Sequence, residues 1–361
     1  MNMDLKQLLE CLDLLTDGKK LDLACGNFNY DPKQNLTPEQ LIESERLLLQ
    51  NHSDPAGNQV FIAQMLRTET TLALDTFNIA PRFASTRQTI DDTILNIVGP
   101  QGKVALPLPN WTFWFTDGPK KGDFSYEYIS AENPDQLVSY FKNMAPKVKA
   151  FLLTNPQNPW GYKIEREHCV AMDKIAQKHG VTIIIDEVLR GNQPLNDRES
   201  LGIHFAQPYV IEGFSHRFGL GLQNFSYVLS PKGKKAGVTT SKQAPAKLLE
   251  MIYQTSTRPC LSEIKKRNAA LREGLFGADV SYLQSADTQI TSLLELPRGF
   301  EVLDVLEQAR AADIPLLSIH SFTPPGIDPI ARYENMLRLS VGMVSASDAY
   351  DAGDRLSQIL R

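Results

Sequence analysis

The chain lacks the features that mark most specialised protein classes. It has four cysteines, Cys11, Cys25, Cys169 and Cys260, and no two form a CxxC pair. Scattered thiols argue against a metal site and suit a reducing cytoplasm. No apolar run reaches the length of a membrane span. Met1 to Lys20 mixes acidic, basic and apolar residues without a signal-peptide core. The net charge is −5, and no Lys/Arg-rich run extends beyond Lys232 to Lys235. Nothing in that balance calls for nucleic acid. There is no internal repeat and no low-complexity tract.

What is present is ordinary in bulk. The 361 residues are 42% hydrophobic and 22% charged, as expected of a globular protein long enough for more than one domain. Helical periodicity runs through Leu5–Leu15, Val60–Leu74, Gln88–Val98, Gln136–Met144 and Glu165–His179, with Gly180 closing the last. Thr37-Pro38-Glu39-Gln40 opens a further helix with a capping box. Lys103–Leu108, Ala150–Leu153, Val181–Ile185 and Tyr209–Ile211 read as buried strands. Leu21–Asn27 is a short extended piece. Strands alternating with helices imply βαβ units and a mostly parallel sheet.

After Pro231 the texture changes. Helices are expected at Ala244–Tyr253, Cys260–Leu275, Phe300–Ala312 and Ala346–Leu360. Strands are expected at Thr288–Glu295, Ile314–Ser318 and Met336–Val341. The expected architecture is a three-layer α/β/α large domain over residues 45–238. A smaller, discontinuous α+β domain would combine residues 1–44 and 239–361.

Polar clusters fall at strand ends, where open α/β sheets place ligands. Trp111 follows the first strand. Asn155-Pro156-Gln157-Asn158-Pro159-Trp160-Gly161 follows the second, Asp186-Glu187 closes the third, and Gly213-Phe214-Ser215-His216-Arg217 follows the fourth. Ser85-Thr86-Arg87 opens a helix, which fits both a plain cap and an anion site.

In this order the residues resemble the class I/II aminotransferases of pyridoxal-phosphate fold type I. The resemblance runs over nearly the whole chain and implies a homodimer with sites at the subunit interface. It implies that Asp186 pairs with the cofactor's ring nitrogen, that Asn158 bonds its phenolic oxygen and that Trp111 stacks on its ring. Ser85, Thr86 and Arg87 fall at the phosphate loop, with Ser215 and Arg217 nearby. Arg338 matches the residue that forks onto a substrate carboxylate, and Gly26 lies near that carboxylate.

The departures concern the groups that hold the cofactor. The family's S-x-S-K pattern supplies the Schiff-base lysine, and here His216 stands in its place. Asn224 replaces a phosphate-binding Arg, Leu189 a Tyr, His52 a Tyr of the partner, and Gly213 a phosphate-binding Ser. Three readings of His216 stay open. It is a general base beside non-covalently held pyridoxal phosphate or pyridoxamine phosphate, acting on a small amino-acid substrate. Or the pocket has lost the cofactor and takes another small carboxylate. Or the chain is a catalytically silent partner subunit.

Overall fold

A computed structural model describes residues 32–49, 55–82, 84–113, 116–159, 164–218, 225–234, 246–283, 289–327 and 333–361. The expected helix Leu5–Leu15, the extended piece Leu21–Asn27, and Gly26, His52 and Asn224 lie outside these residues.

The strands are β1 (Phe77–Arg82), β2 (Gly102–Leu108), β3 (Phe124–Ser130), β4 (Ala150–Thr154), β5 (Thr182–Asp186), β6 (Tyr209–Gly213) and β7 (Ser226–Pro231), then β8 (Ser281–Leu283), β9 (Thr291–Glu295), β10 (Leu317–Ser318) and β11 (Met336–Ser340). The helices are α1 (Pro38–Leu49), α2 (Pro55–Glu69), α3 (Thr86–Val98), α4 (Asp117–Lys121), α5 (Pro134–Met144), α6 (Arg166–His179), α7 (Ser215–Phe218), α8 (Ala246–Gly274), α9 (Val302–Ala311) and α10 (Ala346–Ile359).

Two sheets form. The larger runs β1-β7-β6-β5-β4-β2-β3, and the smaller runs β10-β11-β9-β8. In the larger, β2, β3, β4, β5 and β6 are parallel and β7 is antiparallel to both its neighbours. The central strands β4 and β6 are buried at every position, so both faces of the sheet are covered, as a parallel sheet requires. One apolar cluster fills one side, around Phe141, Phe151, Ile185 and Met172; the other gathers Ile90, Ile94, Leu106, Leu152 and Ile211.

Several local expectations match. The Thr37 capping box forms, with Gln40 N donating to Thr37 Oγ1 at 3.3 Å and Thr37 N to Gln40 Oε1 at 2.9 Å. Gly180 closes α6 at φ 66°, a left-handed conformation suited to glycine.

Others are corrected. The expected helix Val60–Leu74 starts at Pro55 and stops at Glu69. The expected strand Ile314–Ser318 shrinks to Leu317–Ser318. The expected break between Tyr253 and Cys260 is absent: α8 continues through Pro259. Proline removes one helical hydrogen bond. The buried stripe Leu248, Leu249, Ile252, Cys260, Ile264 and Leu271 keeps both halves on one axis. Strand β1 was not expected because Pro81 interrupts it. It is an edge strand, where a missing N–H is tolerated. Strand β3 carries the alternation Phe124, Tyr126, Tyr128 and was legible in principle.

Candidate functional site

The chain makes β3 on one side of β2 and then crosses to lay β4, β5 and β6 on the other. The crevice outside the carboxyl ends of β2 and β4 is therefore the topological switch point, where such sheets bind ligands. The order of strands sets Trp111 after β2, Asn158 after β4, Asp186 at the end of β5 and His216 after β6. Four residues proposed from the sequence thus share one edge of four successive strands.

The crevice is tied together by polar side chains. Asn110 Oδ1 accepts from Thr154 Oγ1 at 3.1 Å and from the Trp111 amide at 2.8 Å, joining the ends of β2 and β4. The Asn155 amide donates to the Asp186 carbonyl at 2.8 Å. Among the described residues, Asn110 Nδ2 and Asn158 Oδ1 are both buried without a hydrogen-bond partner. Buried orphan amides are rare and point to an absent partner. The two ends of an amide exchange by a flip, so Asn158 can present either a donor or an acceptor there.

Asp186 is 4% exposed, and its Oδ1 accepts from the Val188 amide at 3.0 Å. Burial, with Glu187 and Glu212 nearby, pushes its carboxyl up to about 7. A buried carboxyl in that range is poised to ionise against a cationic partner.

The loop between β1 and α3 supplies the next side. Ser85 caps α3, its side chain accepting from the Gln88 amide at 3.1 Å. The helix leaves the Thr86 and Arg87 amides without an intrahelical acceptor. A Cβ on Gly213 would sit 2.1 Å from Thr86 Oγ1. The Thr86 hydroxyl thus takes the space into which a serine at position 213 would project. Arg87 is exposed and lies over the Trp111 ring, 5.7 Å from its centroid.

Arg338 reaches this crevice from the smaller sheet. It sits in β11 between Leu317 of β10 and Leu293 of β9 and is 0% exposed. Its guanidinium lies over Phe322, 5.5 Å from the ring, and Phe322 is 6.3 Å from Trp111. The Phe322 carbonyl accepts from the Asn110 amide at 3.0 Å. Arg87, Trp111, Phe322 and Arg338 therefore form one continuous column. Sequence reasoning gave Phe322 no individual role, because its contacts with both Trp111 and Arg338 depend on packing between the two sheets.

One proposed residue is placed otherwise. Arg217 is 2% exposed, and its guanidinium donates to both Glu69 oxygens, at 3.0 and 3.1 Å, and to Glu212. Those carboxylates occupy it, so it is not a phosphate ligand. Ser215 opens the short helix α7. Leu189, at the position of the missing tyrosine, is buried in the apolar core.

Arg217 belongs to a buried ionic network that the sequence did not announce. Arg190 pairs with Glu69 at 3.3 Å, Glu187 at 3.2 Å and Glu212 at 2.6 Å. Arg198 pairs with Glu69 at 2.6 Å, and Tyr227 donates to Glu212. The three guanidiniums hold Glu69 down at about 2 against the opposing effect of burial. Its members are scattered from position 69 to 227, so no local motif marks them.

No family model matches the chain. An aspartate aminotransferase of Musicola paradisiaca is 19% identical over 155 residues, 41% of this chain and 39% of that protein. A probable aspartate aminotransferase of Streptomyces griseus is 24% identical over 168 residues, 46% of this chain and 70% of that protein. The matched stretch is thus well under half the length of the first relative. The structural likeness is far wider. Aspartate aminotransferase from Thermus thermophilus, solved with maleate, superposes with a TM-score of 0.75 at 18% identity, over 98% of this chain and 95% of that one. The fold is that of the fold-type I aminotransferases. The candidate site of this chain is the crevice at the ends of β2, β4, β5 and β6, with His216 in the short helix that follows β6.

Proposed function

We propose that this aminotransferase-fold protein holds pyridoxal phosphate or pyridoxamine phosphate non-covalently and acts on a small amino-acid-type substrate, with His216 moving the proton. The observation that carries this is Asp186, a buried carboxyl at the end of β5 pushed up to about 7, together with Asn158 Oδ1, buried without a hydrogen-bond partner among the described residues. A carboxylate kept dry at a strand end has little structural use unless a cation meets it.

The residues fit the group. Asp186 would hold a protonated ring nitrogen, and Asn158 would bond the ring's oxygen substituent. Trp111 offers a flat face, and Thr86 with the first turn of α3 offers donors to a phosphate. When bound, the cofactor's ring absorbs the electrons released at the substrate α-carbon. Arg338, rigid and buried against Phe322, would orient the substrate carboxylate by a forked contact. His216 is half-buried, and an imidazole can both accept and donate a proton. Imidazole forms no imine with the cofactor, so its part would be to take and return a proton.

The test is an absorbance titration of the purified protein with each cofactor form. A saturable band that is lost in Asp186→Ala supports the proposal. No binding at millimolar cofactor would sink it.

A further inference from the structure

Helix α7 spans only Ser215–Phe218. A single turn closes too few hydrogen bonds to hold its own shape. Its orientation must come from what grips it. Arg217 donates twice to Glu69, once to Glu212 and once to Met65 Sδ at 3.1 Å, and its guanidinium lies over the Phe214 ring. The Asn192 side-chain amide donates to the His216 carbonyl at 3.0 Å. On the preceding side, the Phe214 amide donates to the Phe225 carbonyl at 3.0 Å, and the Phe214 ring lies among Phe61, Phe225 and Tyr227.

Successive residues on a helix point about 100° apart. With Arg217 drawn into the network, the rotation of the turn is fixed, and with it the direction of the neighbouring side chain. Gly191 serves the same end. A Cβ there would fall 2.3 Å from Arg217 Nε, so only glycine lets the guanidinium lie across this loop.

Three buried carboxylates and three guanidiniums are a poor source of stability, since well-packed apolar groups often do as well. What ion pairs provide is direction, through forked contacts of fixed geometry. The network also reaches the cofactor-side loop. Glu187 pairs with Arg190 and accepts from the Leu201 amide at 2.7 Å and from Asn155 Nδ2 at 3.4 Å. One set of contacts thus spans from the loop after β4 to the turn after β6.

We infer that Glu212 and Asn192 are positioning residues for His216: Glu212 through its grip on Arg217, Asn192 through the His216 carbonyl. The inference deepens the proposed function and rests on it for its catalytic meaning. The placement of His216 is measurable without cofactor.

The experiment uses the full chain with carbon-labelled histidine and compares wild type, Glu212→Gln and Asn192→Ala by NMR. The chain has six histidines, and the His216→Gln spectrum identifies the signal of interest. The expected result is that His216 alone changes, its titration midpoint moving by about half a pH unit, roughly a threefold change in proton affinity. The other five histidines stay in place. Should Glu212→Gln fail to fold, Asn192→Ala, which removes no charge, decides the matter. A His216 signal unmoved in the folded variants overturns the inference. A pyridoxal-phosphate absorbance titration of wild type runs in parallel. Failure there removes the cofactor reading and leaves the histidine comparison standing.

Discussion

Replacing Asp186 by Asn should make the cofactor-free protein more stable and a poorer binder. In the folded chain burial raises the Asp186 carboxyl from 3.8 to about 7. The unfolded chain ionises near the ordinary value. Between about pH 4 and 7 the folded protein therefore holds a proton that the unfolded chain has released. Stability falls as pH rises through that window, and the full penalty is present above it. Three pKa units at 1.36 kcal/mol each give about 4 kcal/mol at pH 8. Asn keeps the shape and still accepts from the Val188 amide, but it carries no charge. Denaturant unfolding at pH 5 and pH 8 reads the effect. The advantage of Asp186→Asn should be about 1.6 kcal/mol at pH 5 and approach about 4 kcal/mol at pH 8. The same variant should lose affinity for the cofactor, because a neutral amide does not match a cationic ring nitrogen. A variant no more stable at pH 8 than at pH 5, relative to wild type, would refute the argument that this carboxyl is kept dry for a cation.

Other outcomes follow from the same geometry. His216→Lys should acquire a covalent, borohydride-reducible attachment of pyridoxal phosphate, visible as an added mass; a variant that stays unmodified would mean the phosphate side does not hold the cofactor. Glu69→Gln leaves Arg190, Arg198 and Arg217 short of a counter-charge, and breaking such a buried pair should lower stability by about 3–5 kcal/mol in denaturant titrations near neutrality. Glu69 is held down at about 2 from 4.5, so its contribution is present above pH 4.5 and fades as pH falls towards 2; the wild-type advantage over Glu69→Gln should shrink over that range. Gly213→Ser puts an atom 2.1 Å from Thr86 Oγ1 and should destabilise by about 1–3 kcal/mol, while Thr86→Ala in the same chain should recover most of the loss in a double-mutant cycle. Arg338→Lys should weaken carboxylate binding about tenfold, since the forked contact is lost; quenching of tryptophan fluorescence by small carboxylates measures it.

Much of the fold was legible because the buried strands β4, β5 and β6 are continuous apolar runs, and because Gly180 and Thr37 carry the signals that end and begin helices. What failed has physical causes. Pro259 reads as a helix breaker, yet an apolar stripe on both sides of it keeps α8 whole. Pro81 hides β1, because whether a strand lies at a sheet edge is not written in its own residues.

The sequence by itself determined which chemistry the strand ends carry: a carboxylate at Asp186, an amide at Asn158, an indole at Trp111, and imidazole instead of an amine at position 216. These follow from residue type and chain order alone. Only the tertiary structure decided which charges are at work and which are occupied. Arg217 stood in the sequence as a cation beside the site, and folding brings Glu69, separated by 148 residues, onto its guanidinium. Phe322 was one phenylalanine among sixteen until the two sheets set it between Trp111 and Arg338. Residue identity fixes what a group can do. Its partners, burial and direction depend on contacts between distant parts of the chain, and no local pattern encodes them.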